Sequence, residues 1–365
     1  MRAMVLKESK LTVQEVTKPV PGPGQVLARV LACGICGSDL HAAKFMDEMI
    51  ATAKASRRNA WYERDMSAGI VMGHEFVAEI VEAGPGAEEW KPGTRVTSMP
   101  VVLAPESPTG FIGLGYSPDM PGAYGEYVVL SAPMLLKVAD HVSDEMAATT
   151  EPCAVGLHAV REGRVKPGET ALIMGAGPIG LMTLLWLRKE GVGYVAVSDY
   201  SAQRRALAAK LGADDVFDPG AGDLAEMLSE ALFRPSEKRP QDPSVGGGDV
   251  LAAPDVVFEC VGVEGTLQQA MELVQMRGRV VVVGVCMKED RITPLLGINK
   301  QLTLQFVLGY TPQEYAEALA SFADGSIDTS PIVTRTVELD ELPATFAALA
   351  DPKDCKVLYK PKARG

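Results

Sequence analysis

The stretch ETALIM-GAGPIG, residues 169–180, constrains the fold more than any other part of the chain. An apolar run ends on Gly175-Ala-Gly177-Pro-Ile-Gly180, and a helical pattern begins at Pro178. A strand that stops on glycines so spaced and turns directly into a helix needs tight turns and close backbone approaches that a side chain would obstruct. Further apolar runs follow, YVAVSD, DVVFEC and RVVVVGV, separated by helical stretches over residues 201–211 and 265–276. Strands apolar on both faces, alternating with helices, predict an α/β fold with a doubly wound parallel sheet.

In that setting each glycine has a duty: the first allows the turn, the second admits a pyrophosphate to the backbone, and the third lets strand and helix pack closely. Helix N-terminal amides then face the phosphates, and Pro178 sits where a missing N–H costs little. The cofactor-binding candidates of this Rossmann unit are therefore Gly175, Gly177, Pro178, Ile179 and Gly180, with Val283 and Val285 after a later strand. Asp199 ends the next strand, 19 residues after Gly180, where an acid can bind adenosine ribose hydroxyls. A carboxylate there repels a 2′-phosphate, so the cofactor is expected to be NAD rather than NADP. Arg204 and Arg205, a turn later, oppose that preference. The competing readings are a purely structural turn for the glycines and an ordinary strand-end acid for Asp199.

The first 150 residues read differently. Short apolar runs rich in Val, Gly and Pro, at residues 25–31, 76–81 and 124–130, suggest a strand-rich, barrel-like domain. A chain of 365 residues exceeds the size at which one core stops growing, which favours two domains. The expected division is residues 1–155 with 309–365 as one domain and 156–308 as the cofactor domain. Residues 233–254, loaded with Pro and Gly, read as a surface excursion without chemistry. A net charge of -12 argues against nucleic acid. No apolar run approaches a membrane span, and the six cysteines lack the density of a secreted disulfide framework. A cytoplasmic address with reduced or metal-binding thiols is expected.

Cys33-Gly-Ile-Cys36-Gly-Ser38-Asp39-Leu-His41 gathers two thiols, a hydroxyl, an acid and an imidazole, and Gly73-His74-Glu75 and Glu151-Pro-Cys153 follow downstream. Only four histidines occur in the chain, and two of them lie in these motifs. Catalytic zinc takes three protein ligands from Cys, His and carboxylate and keeps a fourth position open. The Cys33/Cys36 pair follows a strand rather than opening a thioredoxin-like helix, so thiol redox chemistry is the weaker reading and Cys33 is taken as structural. Cys153 competes with Glu151 as a ligand, and otherwise fills space as a small hydrophobe. His141 and His158 have no metal-like neighbours and read as structural.

Taken together, CGICGSDLH, GHE, EPCAVGLHA and GAGPIG resemble the medium-chain zinc-dependent alcohol and polyol dehydrogenases, nearest the branch of sorbitol, butanediol and threonine dehydrogenases. The resemblance implies a GroES-like β-barrel catalytic domain beside the Rossmann domain, with the active site in the cleft between them. It implies Cys36, His74 and Glu151 as zinc ligands, with Glu75 ligating or sitting just behind the metal. It implies Ser38 and His41 as a proton relay from the bound alcohol, through the cofactor ribose, to solvent. Lys356 is matched to a basic phosphate contact. The implied reaction passes hydride from a secondary alcohol, diol or polyol to NAD, reversibly, in a homo-oligomer of two or four chains.

Two departures stand out. Residues 96–124, where many relatives carry a structural zinc lobe, contain no cysteine, so one catalytic zinc and no structural zinc is expected. Residues 42–70 form a long insertion before His74, with an amphipathic helical pattern and the pair Trp61-Tyr62. It reads as a lid or pocket wall, or as a solvated insertion or subunit contact. Two other functions compete: a zinc-free quinone or enoyl-type reductase on the same fold, and a noncatalytic cofactor-binding redox sensor.

Overall fold

The structure is a computed structural model that describes residues 1–55, 66–107, 109–232, 252–349 and 353–362. Trp61, Tyr62 and most of the Pro- and Gly-rich segment at 233–254 lie outside the described residues. The chain divides into two compact units, Met1–Ala154 with Thr311–Gly365, and Val155–Tyr310.

The second unit is built on six parallel strands. In chain order they are Thr170–Met174, Tyr194–Ser198, Asp215–Phe217, Val256–Glu259, Arg279–Val282 and Thr303–Phe306. They stand in the order third, second, first, fourth, fifth, sixth, so the strand order reverses beside the strand that ends on Gly175. That reversal opens a crevice at the carboxyl ends of the strands, the usual seat of a dinucleotide. The first and fourth strands are buried along their whole length, as the unalternating apolar sequence requires. The helix expected after the glycines runs Pro178–Lys189, with Gly177 as its N-cap and Pro178 in its first turn.

In the first unit, strand Gln25–Gly34 is the spine of a seven-stranded sheet and pairs with strands Glu75–Ala83, Tyr127–Ser131 and Lys356–Tyr359. The last of these comes from the chain's tail, which brings Lys356 beneath the two metal motifs. Residues 96–124 are held without cysteines. A hairpin of Val101–Leu103 and Phe111–Gly113 buries Val102 and Leu114 in the main core, and the Ser131 hydroxyl accepts from the Leu103 N–H at 2.9 Å.

The helix that follows Cys36 spans Gly37–Ala55 and breaks at Phe45, where φ is -131° and ψ is 33°. Its second half packs Met46 and Met49 against the core. Among the described residues, no helix is long and apolar enough to cross a membrane.

Candidate functional site

Cys36 ends the loop after the spine strand, and the helix that starts at Gly37 carries Ser38, Asp39 and His41 in its first turn. Asp39 lies three residues after Cys36, one turn on, so its side chain folds back beneath the same corner. His74 and Glu75 arrive from a different direction, at the start of strand Glu75–Ala83. Gly73 makes that arrival possible: its φ is +97°, and a Cβ there would stand 2.7 Å from the Tyr124 backbone nitrogen. One ligand atom each from Cys36, His74 and Glu75 lie within 4.8 Å of one another.

Asp39 is wholly buried and organises this corner. Its Oδ2 accepts from the Tyr124 hydroxyl at 2.6 Å and the Cys36 N–H at 3.3 Å, and its Oδ1 accepts from the Tyr116 hydroxyl at 3.0 Å. The His74 Nδ1 stands 3.3 Å from Oδ1, within ion-pair reach, although it is off the line that a hydrogen bond requires. Burial alone would push Asp39 up. The His74 charge and the donated hydrogen bonds outweigh it and hold Asp39 below the ordinary carboxylate value. For His74, burial opposes the charged form, but Asp39 and Cys36 together raise it well above the usual imidazole value. Burial, then the Asp39 and Cys36 charges, push the Tyr116 phenol well up, so it stays neutral as a donor.

Glu75 is equally buried and is paired from below. The Lys356 ammonium reaches both carboxylate oxygens, at 2.8 and 2.6 Å, and donates to the Ile35 carbonyl at 3.0 Å. Gly34 leaves the room for this pair, since a Cβ there would meet Glu75 Oε2 at 2.0 Å. Lys356 is only 2% exposed, and burial would lower its pKa, yet the Glu75 charge raises it above the usual value. The expected role of Lys356 as a phosphate contact is therefore wrong. Its three donors are spent inside the protein, where no phosphate can reach them.

Glu151 lies near the start of helix Thr150–Glu162 and is largely buried. It is not part of the convergent group of Cys36, His74 and Glu75, although its charge is felt by Lys356 and Tyr315. Cys33 and Cys153 are wholly buried, and none of the six cysteines, each among the described residues, forms a disulfide. His141 Nε2 donates to the Ala323 carbonyl at 2.9 Å. His41 is half-buried against Phe45, its Nδ1 is buried without a hydrogen-bond partner among the described residues, and burial with the nearby Lys44 lowers its pKa.

In the other unit, the glycine turn has the tightness that its sequence implies. Gly175 has φ +94°, and a Cβ on Gly180 would stand 1.9 Å from the Gly175 carbonyl oxygen. Asp199 Oδ2 accepts from the Ala176 N–H at 2.8 Å and Oδ1 from the Ser201 N–H at 2.7 Å. The acid thus ties the turn to the next strand while keeping lone pairs for a ligand. The Arg204 guanidinium lies over Gly177, 3.9 Å from where a Cβ would be, and Arg205 is paired with Asp218 at 3.0 Å. Val283 follows the fifth strand and Val285 is 51% exposed on the same carboxyl-end loop. Ile179 is half-buried on the first turn of the helix.

Comparison with known proteins bears on both corners. The zinc-binding dehydrogenase family matches residues 178–324, and the alcohol dehydrogenase GroES-like domain matches residues 22–140. A (R,R)-butanediol dehydrogenase of Bacillus subtilis (strain 168) is 31% identical over 364 residues, 97% of either chain. The chain belongs to the medium-chain zinc alcohol and polyol dehydrogenase family. A human sorbitol dehydrogenase is 27% identical over 361 residues, 96% of this chain and 92% of its own. A zinc-binding dehydrogenase of Sinorhizobium meliloti 1021, solved bound to NADP, superposes with a TM-score of 0.80 at 28% identity over 99% of each chain. The barrel unit of this medium-chain dehydrogenase is thus GroES-like and its parallel-sheet unit Rossmann-type, and the protein is an oxidoreductase of the alcohol dehydrogenase kind. These relatives lend no support to the zinc-free or noncatalytic readings.

Sequence reasoning passed over three residues of this dehydrogenase: Tyr116, Tyr124 and Lys356 as the partner of Glu75. Asp39 was visible in its motif without a role. Its spacing from Cys36 was a usable signal, because an acid one turn from a metal ligand is well placed to orient a ligating histidine. The two tyrosines gave none, since only folding brings them to Asp39.

Proposed function

We propose that this chain oxidises a secondary alcohol, diol or polyol with NAD, and reduces the matching carbonyl in reverse, at one catalytic zinc held by Cys36, His74 and a carboxylate. The observation that carries the reading is the convergence of the Cys36 and His74 ligand atoms with that of Glu75, all within 4.8 Å of one another. Ligands of a tetrahedral zinc at about 2.0–2.3 Å stand roughly 3.5 Å apart, so the Cys36 thiol and the His74 imidazole fit as ligands with a small contraction. One thiolate and one carboxylate offset the ion's two charges.

Which carboxylate ligates is part of the proposal. Glu151 is the favoured third ligand, although it lies outside the convergent group, because Lys356 already engages both oxygens of Glu75; Glu75, which converges with Cys36 and His74, is the alternative. Zinc bound there supplies Lewis acidity, which lowers the pKa of a bound hydroxyl by several units, and NAD supplies the hydride acceptor. The chain's own residues do the rest. Asp39 fixes the His74 ring, Ser38 takes the alcohol proton, and His41 carries it toward solvent. Gly175, Gly177, Pro178, Ile179 and Gly180 seat the pyrophosphate, with Val283 and Val285 at the strand ends beside it.

The NAD preference rests on Asp199, whose carboxylate disfavours a 2′-phosphate. Arg204 beside Gly177, and the NADP bound to the Sinorhizobium relative, favour the second reading, NADP. Turnover measured with each cofactor separates them. A homo-oligomer is supported by the outermost strand Thr303–Phe306, which pairs on one side, with Phe306, Leu308, Leu295 and Ile298 each more than 60% exposed nearby. Six cysteines with no disulfide between them suit a reducing compartment such as the cytoplasm.

Metal analysis tests the core claim. Close to one zinc per chain is expected, lost together with NAD-linked turnover in Cys36→Ser. Two zincs per chain, or full turnover without zinc, would overturn it.

A further inference from the structure

We infer that Tyr116, contributed by the cysteine-free segment at residues 96–124, is a positioning residue for proton release that acts by orienting the Ser38 hydroxyl. The inference rests on the proposed role of Ser38 as the group that takes the alcohol proton.

The Tyr116 hydroxyl donates to Ser38 Oγ at 2.9 Å and to Asp39 Oδ1 at 3.0 Å. A phenol has a single proton, so the two near-equal distances describe one proton shared between two acceptors. The ring itself is held from several sides. Its centroid lies 5.6 Å from that of His74 at a tilt of 44°. Gly115, at φ +84°, lies against the backbone of Met72 and Gly73, and its N–H donates to the Met120 carbonyl at 3.1 Å. The residue is thus pinned to the same short segment that delivers His74.

The lone-pair inventory of Ser38 shows what this contact does. A serine hydroxyl has one proton and two lone pairs. A relay in either direction uses the proton and one lone pair: it accepts from one side and donates to the other. The remaining lone pair is where Tyr116 binds. With that position filled by a donor, the Ser38 proton is directed away from the phenol and toward the relay. Without it, the hydroxyl is free to turn among its staggered wells, and most of those orientations break the chain of transfer. Asp39 serves as the anchor on the far side of the phenol. Its charge is satisfied by Tyr124 and the Cys36 N–H as well, so it holds Tyr116 in plane while leaving it able to donate to Ser38.

Tyr116→Phe removes the hydroxyl and keeps the ring against His74. The expected result is unchanged zinc content, a KM for the alcohol within about twofold, and a kcat lower by about tenfold, a fraction of what a proton-transfer group contributes. A double-mutant cycle supplies the readout that a merely structural role would not move. In a Ser38→Ala background the same Tyr116→Phe change is expected to cost nothing further in kcat, because its target is gone. An equal loss in both backgrounds, or no loss in the single variant, would overturn the inference while leaving the functional reading intact. A parent protein that binds no zinc and turns over no alcohol with either nicotinamide cofactor would overturn the functional reading, and this inference with it.

Discussion

The glycine turn of the Rossmann-type unit and the polar corner of the GroES-like unit are built in opposite ways. The turn is made from neighbours: Gly175, Gly177 and Gly180 lie within six residues, and Asp199 reaches back to the Ala176 N–H from the adjacent strand. Its strength is steric, in backbone contacts so close that a single Cβ would intrude. The polar corner is assembled from segments far apart in the chain, at residues 36–41, 74–75, 116, 124 and 356. Its strength is electrostatic, with two fully buried carboxylates each satisfied by partners from distant parts of the chain. A local device should tolerate distant mutations and fail on local ones. A dispersed device should fail whenever any one contributor leaves a buried charge unpaired.

The largest effect is expected at the corner's centre. Cys36→Ser should lower turnover by on the order of a thousandfold or more, with zinc loss read by metal analysis. Retained zinc and turnover would show that the corner is not the metal centre.

Next is the buried pair. Lys356→Met leaves Glu75 charged and unpaired in the interior and should cost about 3–5 kcal/mol, read as a lower urea midpoint. Adding Glu75→Gln should recover most of that stability. Equal midpoints for the single variant and the parent would mean that the pair does not hold the corner together.

At the turn, Gly180→Ala places a Cβ 1.9 Å from the Gly175 oxygen and should cost about 1–3 kcal/mol with a weakened NAD KM. Zinc content should stay unchanged, because the candidate metal ligands lie in the other unit. A fall in zinc content would break the contrast between the two devices.

A smaller effect belongs to Asp199. Asp199→Asn keeps the size of the side chain but removes the charge, and the ratio of NAD to NADP turnover should fall by about tenfold, close to 1.4 kcal/mol. An unchanged ratio would transfer the preference to other residues.

The smallest effect concerns pH. Burial and Lys44 lower the folded-state pKa of His41 below the ordinary imidazole value of 6.5, so between the two values the unfolded chain binds more protons. Stability should therefore rise with pH through that window and fall as the pH drops below about 6.5. His41→Gln should flatten this part of the profile, read as the difference in urea midpoint between about pH 5 and pH 7. A parent and variant with parallel profiles would place the His41 proton outside the folding equilibrium.

The same contrast explains what could be read in advance. Four of the six strands of the parallel sheet were legible, because apolar runs such as DVVFEC need no partner to declare that both faces are buried; the two outermost, Asp215–Phe217 and Thr303–Phe306, are short and only partly buried, and carry no such run. The start of the helix Pro312–Ala323 is written locally too, by Thr311 and Glu314 in a reciprocal cap three residues apart. Cys36, His74, Glu75 and Glu151 were legible as candidate ligands because zinc chemistry demands those residue types. The role of Lys356 was misread, because a lysine in a short strand near the end of the chain carries no mark of what it will face.

The sequence by itself therefore determined the α/β class, the dinucleotide turn with its acid, and the thiol, imidazole and carboxylate of the candidate metal group. Each of these is set by local backbone demands or by the chemistry of a residue type. Only the tertiary structure decided that Lys356 neutralises Glu75, that Tyr116 and Tyr124 converge on Asp39, and that Glu151 stands apart from the convergent three. Those outcomes depend on burial: a charge taken out of water must find its partner in space, and the partner's place in the chain is immaterial to that requirement.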